Sequence, residues 1–107
     1  MKRHMPSARL ILHRKRFFDD GSISEIRLWQ VPAPVRGSAH GFKYSLFYGT
    51  SGERWIGYDN EPGKGDHRHC GEQEADYSFT SPEQLIADFL VDVASEQARR
   101  KVERSET

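Results

Sequence analysis

What this sequence has little of narrows it first. Cys70 is the only cysteine in 107 residues, so no disulfide forms within the chain and a reducing compartment is the expected setting. Long apolar runs are missing: "LIADFLV" at residues 85–91 is typical of the longest and falls far short of the ~20 residues that span a bilayer. The opening stretch "MKRHMPSARLILHRKRFF" is basic but has no long apolar segment, so no signal peptide is expected and a soluble cytoplasmic protein is the default. The G-x-S-x-G, C-x-x-C, H-E-x-x-H, G-x-G-x-x-G and P-loop patterns are all absent. Serine and cysteine triads, zincins and dinucleotide enzymes are therefore without support.

Charge of one sign is also missing locally, although the net charge is zero. Lys2, Arg3, Arg9, Arg14, Lys15 and Arg16 have no acidic residue among them, and no lysine or arginine occurs from Glu72 to Ala98. Residues 1–60 hold ten Lys/Arg against five Asp/Glu, while residues 61–107 hold six against eleven. On charge alone, two solvated faces are the simpler reading. A basic half nevertheless attracts polyanions even in a neutral chain.

What is present reads as one small α+β domain. "ARLILHRKRFF", "DDGS" and "ISEIRLWQV" form a predicted hairpin, with Asp20-Gly21 as its turn. The prolines and glycines of "PAPVRGSAHG" end the second strand. "FKYSLFYG" then alternates, with Phe42, Tyr44, Leu46 and Tyr48 on one face, and "RWIGYD" is the fourth strand. "HRHC" and "DYSFT" offer short additional strands. A helix is predicted over residues 82–98, with Ser81 as N-cap, Pro82 at the first helical position and Gln84 closing a capping box. Its stripe of Leu85, Ile86, Phe89, Leu90, Val93 and Ala94 recurs at helical spacing. The expected architecture is an antiparallel meander sheet of four to five strands with a C-terminal helix packed on one face. Residues 1–8 are expected to be a flexible N-terminal segment, 9–98 the domain, and 99–107 a charged tail that frays.

The stretch that a core does not need is "YDNEPGKGDHRHC", residues 58–70. In an extended chain His67 and His69 share a face about 7 Å apart, and Asp66, Arg68 and Cys70 take the other. Such an imidazole pair suits general acid/base work or metal ligation, and equally a polar strand end that meets only water. A metal needs a further ligand, for which Asp59, His40 and His13 are the candidates; Cys70 reads as a buried thiol. The glycines around Lys64 let backbone and ammonium approach a ligand closely. Asp59 and Asn60 suit a turn as well as a binding role, and Tyr58 suits the core as well as proton donation. Upstream, Arg14, Lys15 and Arg16 beside Phe17 and Phe18 suit phosphate contacts and base stacking, or a hairpin whose phenylalanines are simply core.

Taken together, "LILHRKRFFDDGSISEIRLWQVP", "HGFKYSLFYG", "GYDNEPGKGDHRH" and "SPEQLIADFLVDV" resemble the TumE-type toxins of bacterial type II toxin–antitoxin modules, over roughly residues 9–95. The resemblance is most specific at Tyr58-Asp59-Asn60, Lys64-Gly65 and His67-x-His69. It departs at Asp66, where many of those toxins carry a third histidine, and this weakens a three-histidine metal site. The resemblance implies a growth-inhibiting toxin with a small helix-turn-helix antitoxin partner. A small toxin without nucleotide-binding motifs is expected to attack RNA. Cleavage by the ribose 2′-hydroxyl needs a base, an acid and cationic stabilisation, and no metal or other cofactor. His67 and His69 are the expected base and acid, Lys64 and Arg68 the phosphate clamp, and Tyr58 a spare donor. Arg14, Lys15, Arg16, Asp59 and Asn60 are expected to bind substrate. The alternatives are a non-catalytic inhibitor that binds nucleic acid or protein, and a metal-dependent enzyme using the H-x-H pair.

Overall fold

The chain turns back on itself five times before it becomes helical. A computed structural model describes residues 7–105, so most of the N-terminal segment 1–8 and the last two residues lie outside the described part. The strands are β1 (Arg9–Phe17), β2 (Ile23–Gln30), β3 (Phe42–Thr50), β4 (Glu53–Glu61), β5 (Gly65–Cys70) and β6 (Gln73–Asp76), followed by α1 (Pro82–Ser105). They form one sheet in sequence order, and every neighbouring pair is antiparallel. The meander is as expected, with six strands rather than four or five. The additional edge strand comes from "QEAD" at 73–76, and "DYSFT" contributes to it only through Asp76.

Local chemistry accounts for the turns. Gly21 takes a φ of 87° between β1 and β2, a conformation open to glycine at little steric cost. The Asp20 carboxylate closes that turn by accepting hydrogen bonds from the backbone N–H and the hydroxyl of Ser22. In β1 the register slips between Leu10 and Leu12, which leaves Ile11 as a bulge.

The sheet buries one face under α1. Ile26, Leu28, Tyr44, Leu46, Tyr48, Ile56 and Tyr58 meet Leu85, Phe89 and Val93 there. Ser81 caps the helix by accepting from the Gln84 backbone N–H at 3.0 Å. The reciprocal half of the capping box is not formed, because the Gln84 amide donates forward to Asp88 instead. The stripe is also narrower than its spacing implied. Leu85 and Phe89 are wholly buried, whereas Leu90 is 49% exposed and Ala94 is exposed too. A helix with a sheet on one side and no second layer seals only the line 85, 89, 93.

That line continues past residue 98, where the sequence reading ended the helix. The Arg100 guanidinium lies 3.4 Å from the centre of the Trp55 ring and pairs with Glu96 at 2.6 Å. Arg99 pairs with both Glu96 and Glu103. Pairs at three- and four-residue spacing support a helix, so "ARRKVERS" extends α1 to Ser105 instead of fraying.

Candidate functional site

Cross-strand register decides which side chains of residues 58–70 meet. Asp59 lies opposite His67, Gly57 opposite His69, Tyr58 opposite Arg68, and Asn60 opposite Asp66. Residues directly opposite share a face. Tyr58 is core, so Tyr58, Asn60, Asp66, Arg68 and Cys70 point towards the helix side. Asp59, His67 and His69 point to the open face, where β6 adds Asp76 opposite His67 and Glu74 opposite His69.

On the open face each imidazole is held by named partners. His67 Nε2 lies 2.6 Å from the Lys64 carbonyl, and a carbonyl only accepts, so the proton sits on Nε2. Its Nδ1 faces Glu74 Oε1 at 3.2 Å and Asp76 Oδ1 at 3.8 Å. Among the described residues Nδ1 is buried without a hydrogen-bond partner, with the Glu74 carboxylate within ion-pair reach. Arg54 Nη2 donates to His69 Nδ1 at 3.0 Å, which selects the Nε2–H tautomer, and that nitrogen lies 3.8 Å from Asp59 Oδ2. The imidazole side chains are 14% and 11% exposed, so both are walled in rather than displayed.

Arg54 reaches His69 because residue 57 has no side chain. A Cβ on Gly57 would lie 2.7 Å from Arg54 Cδ, so the guanidinium can fold across β4 only over a glycine. Arg54 also approaches Asp59 at 4.0 Å. Sequence reasoning missed Arg54, Glu74 and Asp76. Gly57 in "RWIGYD", on the strand before "HRHC", is the signal that could have pointed to Arg54.

Lys64 stands at the rim, 60% exposed, with Nζ 4.0 Å from Glu74 Oε1. Its turn is clamped by the loop between β2 and β3. Gly63 N–H donates to the Arg36 carbonyl at 2.7 Å, and a Cβ on Gly65 would sit 2.7 Å from the Gly37 carbonyl oxygen. Both Gly37 and Gly65 have positive φ.

The helix side carries a different polar cluster. Fully buried Asn60 accepts from Tyr44 N–H and donates to the Phe42 carbonyl and Ser38 Oγ. Asp66 accepts from Ser38 Oγ at 2.6 Å, Tyr44 Oη at 2.6 Å and His40 Nε2 at 2.7 Å. Burial alone would raise the Asp66 pKa, but these three hydrogen bonds outweigh it and hold the carboxyl below the usual aspartate value. Burial first, and the hydrogen bond to Asp66 second, push the Tyr44 hydroxyl well above its ordinary range.

Further along the same face Arg68 grips Asp92 of α1 through two hydrogen bonds of 2.7 and 2.8 Å. Tyr58 Oη donates to the same carboxylate at 2.5 Å. Burial, then that hydrogen bond, raise the Tyr58 pKa. Asp92 raises that of Arg68. The structure therefore does not bring Tyr58, Asn60 or Arg68 to the histidines; the sheet stands between them. Arg68 remains in the regular strand, without the bend that would carry it round. Arg14, Lys15 and Arg16 are exposed on β1, four strand spacings from β5, or about 19 Å. His13 pairs with Glu25 on that side and His40 with Asp66, so neither joins His67 and His69. Among the described residues no group of three or more His, Cys, Asp or Glu is arranged to hold a metal ion. Cys70 is half-buried against the core.

The family model described as Toxin TumE matches residues 4–97. This chain belongs to the TumE toxin family. No curated protein and no solved structure matches it. As a TumE-family toxin it is expected to work against an antitoxin partner. Among the described residues no helix is long and apolar enough to cross a membrane. The match spans both faces of the sheet, so it covers the histidine face and the Asp66 and Asp92 anchors alike.

Proposed function

We propose that this TumE-family toxin is a metal-independent ribonuclease of the cytoplasm, neutralised by a helix-turn-helix antitoxin, with His67, His69 and Lys64 at its reactive face. One observation carries the reading. The Glu74 carboxylate lies between Lys64 Nζ and His67 Nδ1, where a phosphate oxygen would accept from the ammonium and, once the imidazole takes a second proton, from Nδ1. An RNA phosphate that displaces Glu74 meets an ammonium and an imidazole at once. In the reaction one imidazole removes the proton of the ribose 2′-hydroxyl. The oxygen bonds to phosphorus, the bond to the 5′-oxygen breaks, and the second imidazole protonates that leaving oxygen. Lys64 stabilises the charge that builds on the phosphoryl oxygens. Asp59 and Arg54 orient His69, while Lys15 on the same open face, with Arg14 and Arg16 on the other side of β1, draws the polyanion to this edge of the sheet.

The test is cleavage of RNA by purified protein in the presence of EDTA. His67→Ala or His69→Ala should abolish cleavage and toxicity with the fold intact. The double replacement should be little worse than either alone, because acid and base act as a unit. Activity should rise and fall with pH, as one neutral and one protonated imidazole require. Intact RNA together with growth arrest would remove the enzyme assignment. The low exposure of both rings favours a second reading, a binding inhibitor, in which toxicity survives loss of both histidines.

A further inference from the structure

Among the described residues the sheet has two unpaired edges of opposite character. β6 is four residues long and carries Glu74 and Asp76. β1 is nine residues long, its outer edge meets no other strand among the described residues, and its middle is His13-Arg14-Lys15-Arg16. Among the described residues Arg14, Lys15 and Arg16 make no ion pair. Lys15 and Arg16 instead rest over the rings of Phe17 and Phe18. The charges flank both sides of the strand: Arg14 and Arg16 stand opposite Ile26 and Ser24, and Lys15 opposite Glu25. Apolar side chains bracket them, with Leu10 53%, Ile11 46% and Phe17 73% exposed.

We propose that the free edge of β1 receives an extended acidic segment of a partner protein, which adds to the sheet as a seventh strand. A strand edge supplies unmet backbone donors and acceptors, and the alternate side chains beside it supply specificity. The fitting segment is apolar at both ends and acidic in the middle. Carboxylates at successive positions meet cations on both faces of the sheet, and the ends cover Leu10, Ile11 and Phe17. A second copy of this chain is the wrong occupant, because β1 paired on β1 through its charged middle sets cation against cation. The Ile11 bulge further discourages self-pairing. The inference rests on the edge and its charges and not on the histidines. It deepens the proposed function by naming how an antitoxin covers the strand that guides RNA.

The experiment uses the full chain and a fluorescent end-capped peptide with two valines on each side of three consecutive glutamates. The peptide should raise anisotropy on binding and slow hydrogen exchange at β1 amides. Methylating its backbone nitrogens at alternate positions keeps the charge and removes the pairing, and should weaken binding roughly tenfold or more. The variant R14E/K15E/R16E should lose the glutamate peptide by a similar factor and gain the matching lysine peptide, a swap that also shows the variant is folded. Equal binding of the methylated peptide, or no binding at all, would overturn the proposal. So would protection of β1 by a short oligouridylate but not by the peptide, because the edge would then belong to RNA. Peptide binding retained in H67A/H69A, beside RNA left uncut by the native chain, would sink the ribonuclease reading alone.

Discussion

Replacing Asp66 by alanine separates the two faces of the β4–β5 hairpin. The carboxylate accepts from Ser38, His40 and Tyr44, and its own side chain is 10% exposed. Asp66→Ala leaves three donors without an acceptor. A buried donor left unsatisfied costs about 1–3 kcal/mol. Tyr44 is 1% exposed and bears the full penalty, whereas Ser38 and His40 are only partly buried and recover water. The expected loss is therefore about 3 kcal/mol, well under three full penalties. In a domain of this size each kcal/mol moves Tm by about 4–8 °C, so the midpoint should fall by roughly 12–24 °C.

The sign of the pH dependence follows from the lowered Asp66 pKa. The unfolded chain binds the proton more tightly than the folded one, so this group's stabilisation is complete above the ordinary aspartate pKa of about 3.9. It is lost as pH falls through the lower folded value. Thermal unfolding of the native chain and Asp66→Ala between pH 7 and pH 2.5 should therefore show a difference that shrinks at the acid end. A Tm within about 2 °C of native at pH 7 would refute the assignment of Asp66 as the anchor of this cluster, since it implies well under 1 kcal/mol.

Other substitutions test the rest of the arrangement. Arg68→Met should cost about 1–3 kcal/mol by leaving Asp92 with Tyr58 alone, a figure kept low because the Arg68 side chain is 42% exposed; denaturant unfolding reads it. RNA cleavage per folded molecule should survive Arg68→Met and Tyr58→Phe, and its loss would return these residues to the reactive face. Phe89→Ala should cost about 3–5 kcal/mol in the same assay, because the ring is wholly buried. Gly57→Ala should leave stability within about 1 kcal/mol but push Arg54 off His69, visible as a changed imidazole signal in NMR.

Most of the fold was legible because its signals are local. Alternation in "FKYSLFYG", the Asp20-Gly21 turn and the Ser81 cap each act within a few residues. The extension of α1 was not legible: "ARRKVERS" has no apolar stripe, and what holds it to the sheet is charged, Arg100 on Trp55 and Glu53 and Arg104 on Asp20, partners some 45 to 84 positions earlier. The sixth strand was misplaced for a related reason. "QEAD" has no apolar face, and β5 recruits it through backbone hydrogen bonds that leave no mark in composition.

The site was half legible, and the boundary follows the period of the strand. Period two put His67 and His69 together and set Arg68 apart, and the structure keeps that geometry. Giving Arg68 a phosphate role required a bend that its grip on Asp92 opposes. What alternation cannot reveal is which neighbours the next strands bring. Glu74 and Asp76 reach His67 only through the β5–β6 register, and Arg54 reaches His69 only over Gly57. On the ribonuclease reading those carboxylates also bear on access of the substrate. If a phosphate takes the place that Glu74 holds between Lys64 and His67, Glu74→Gln should favour RNA. Tighter RNA binding by that variant at low salt, measured by anisotropy, is the expected outcome. Weaker binding would mean that Glu74 orients His67 rather than holding the place of a phosphate.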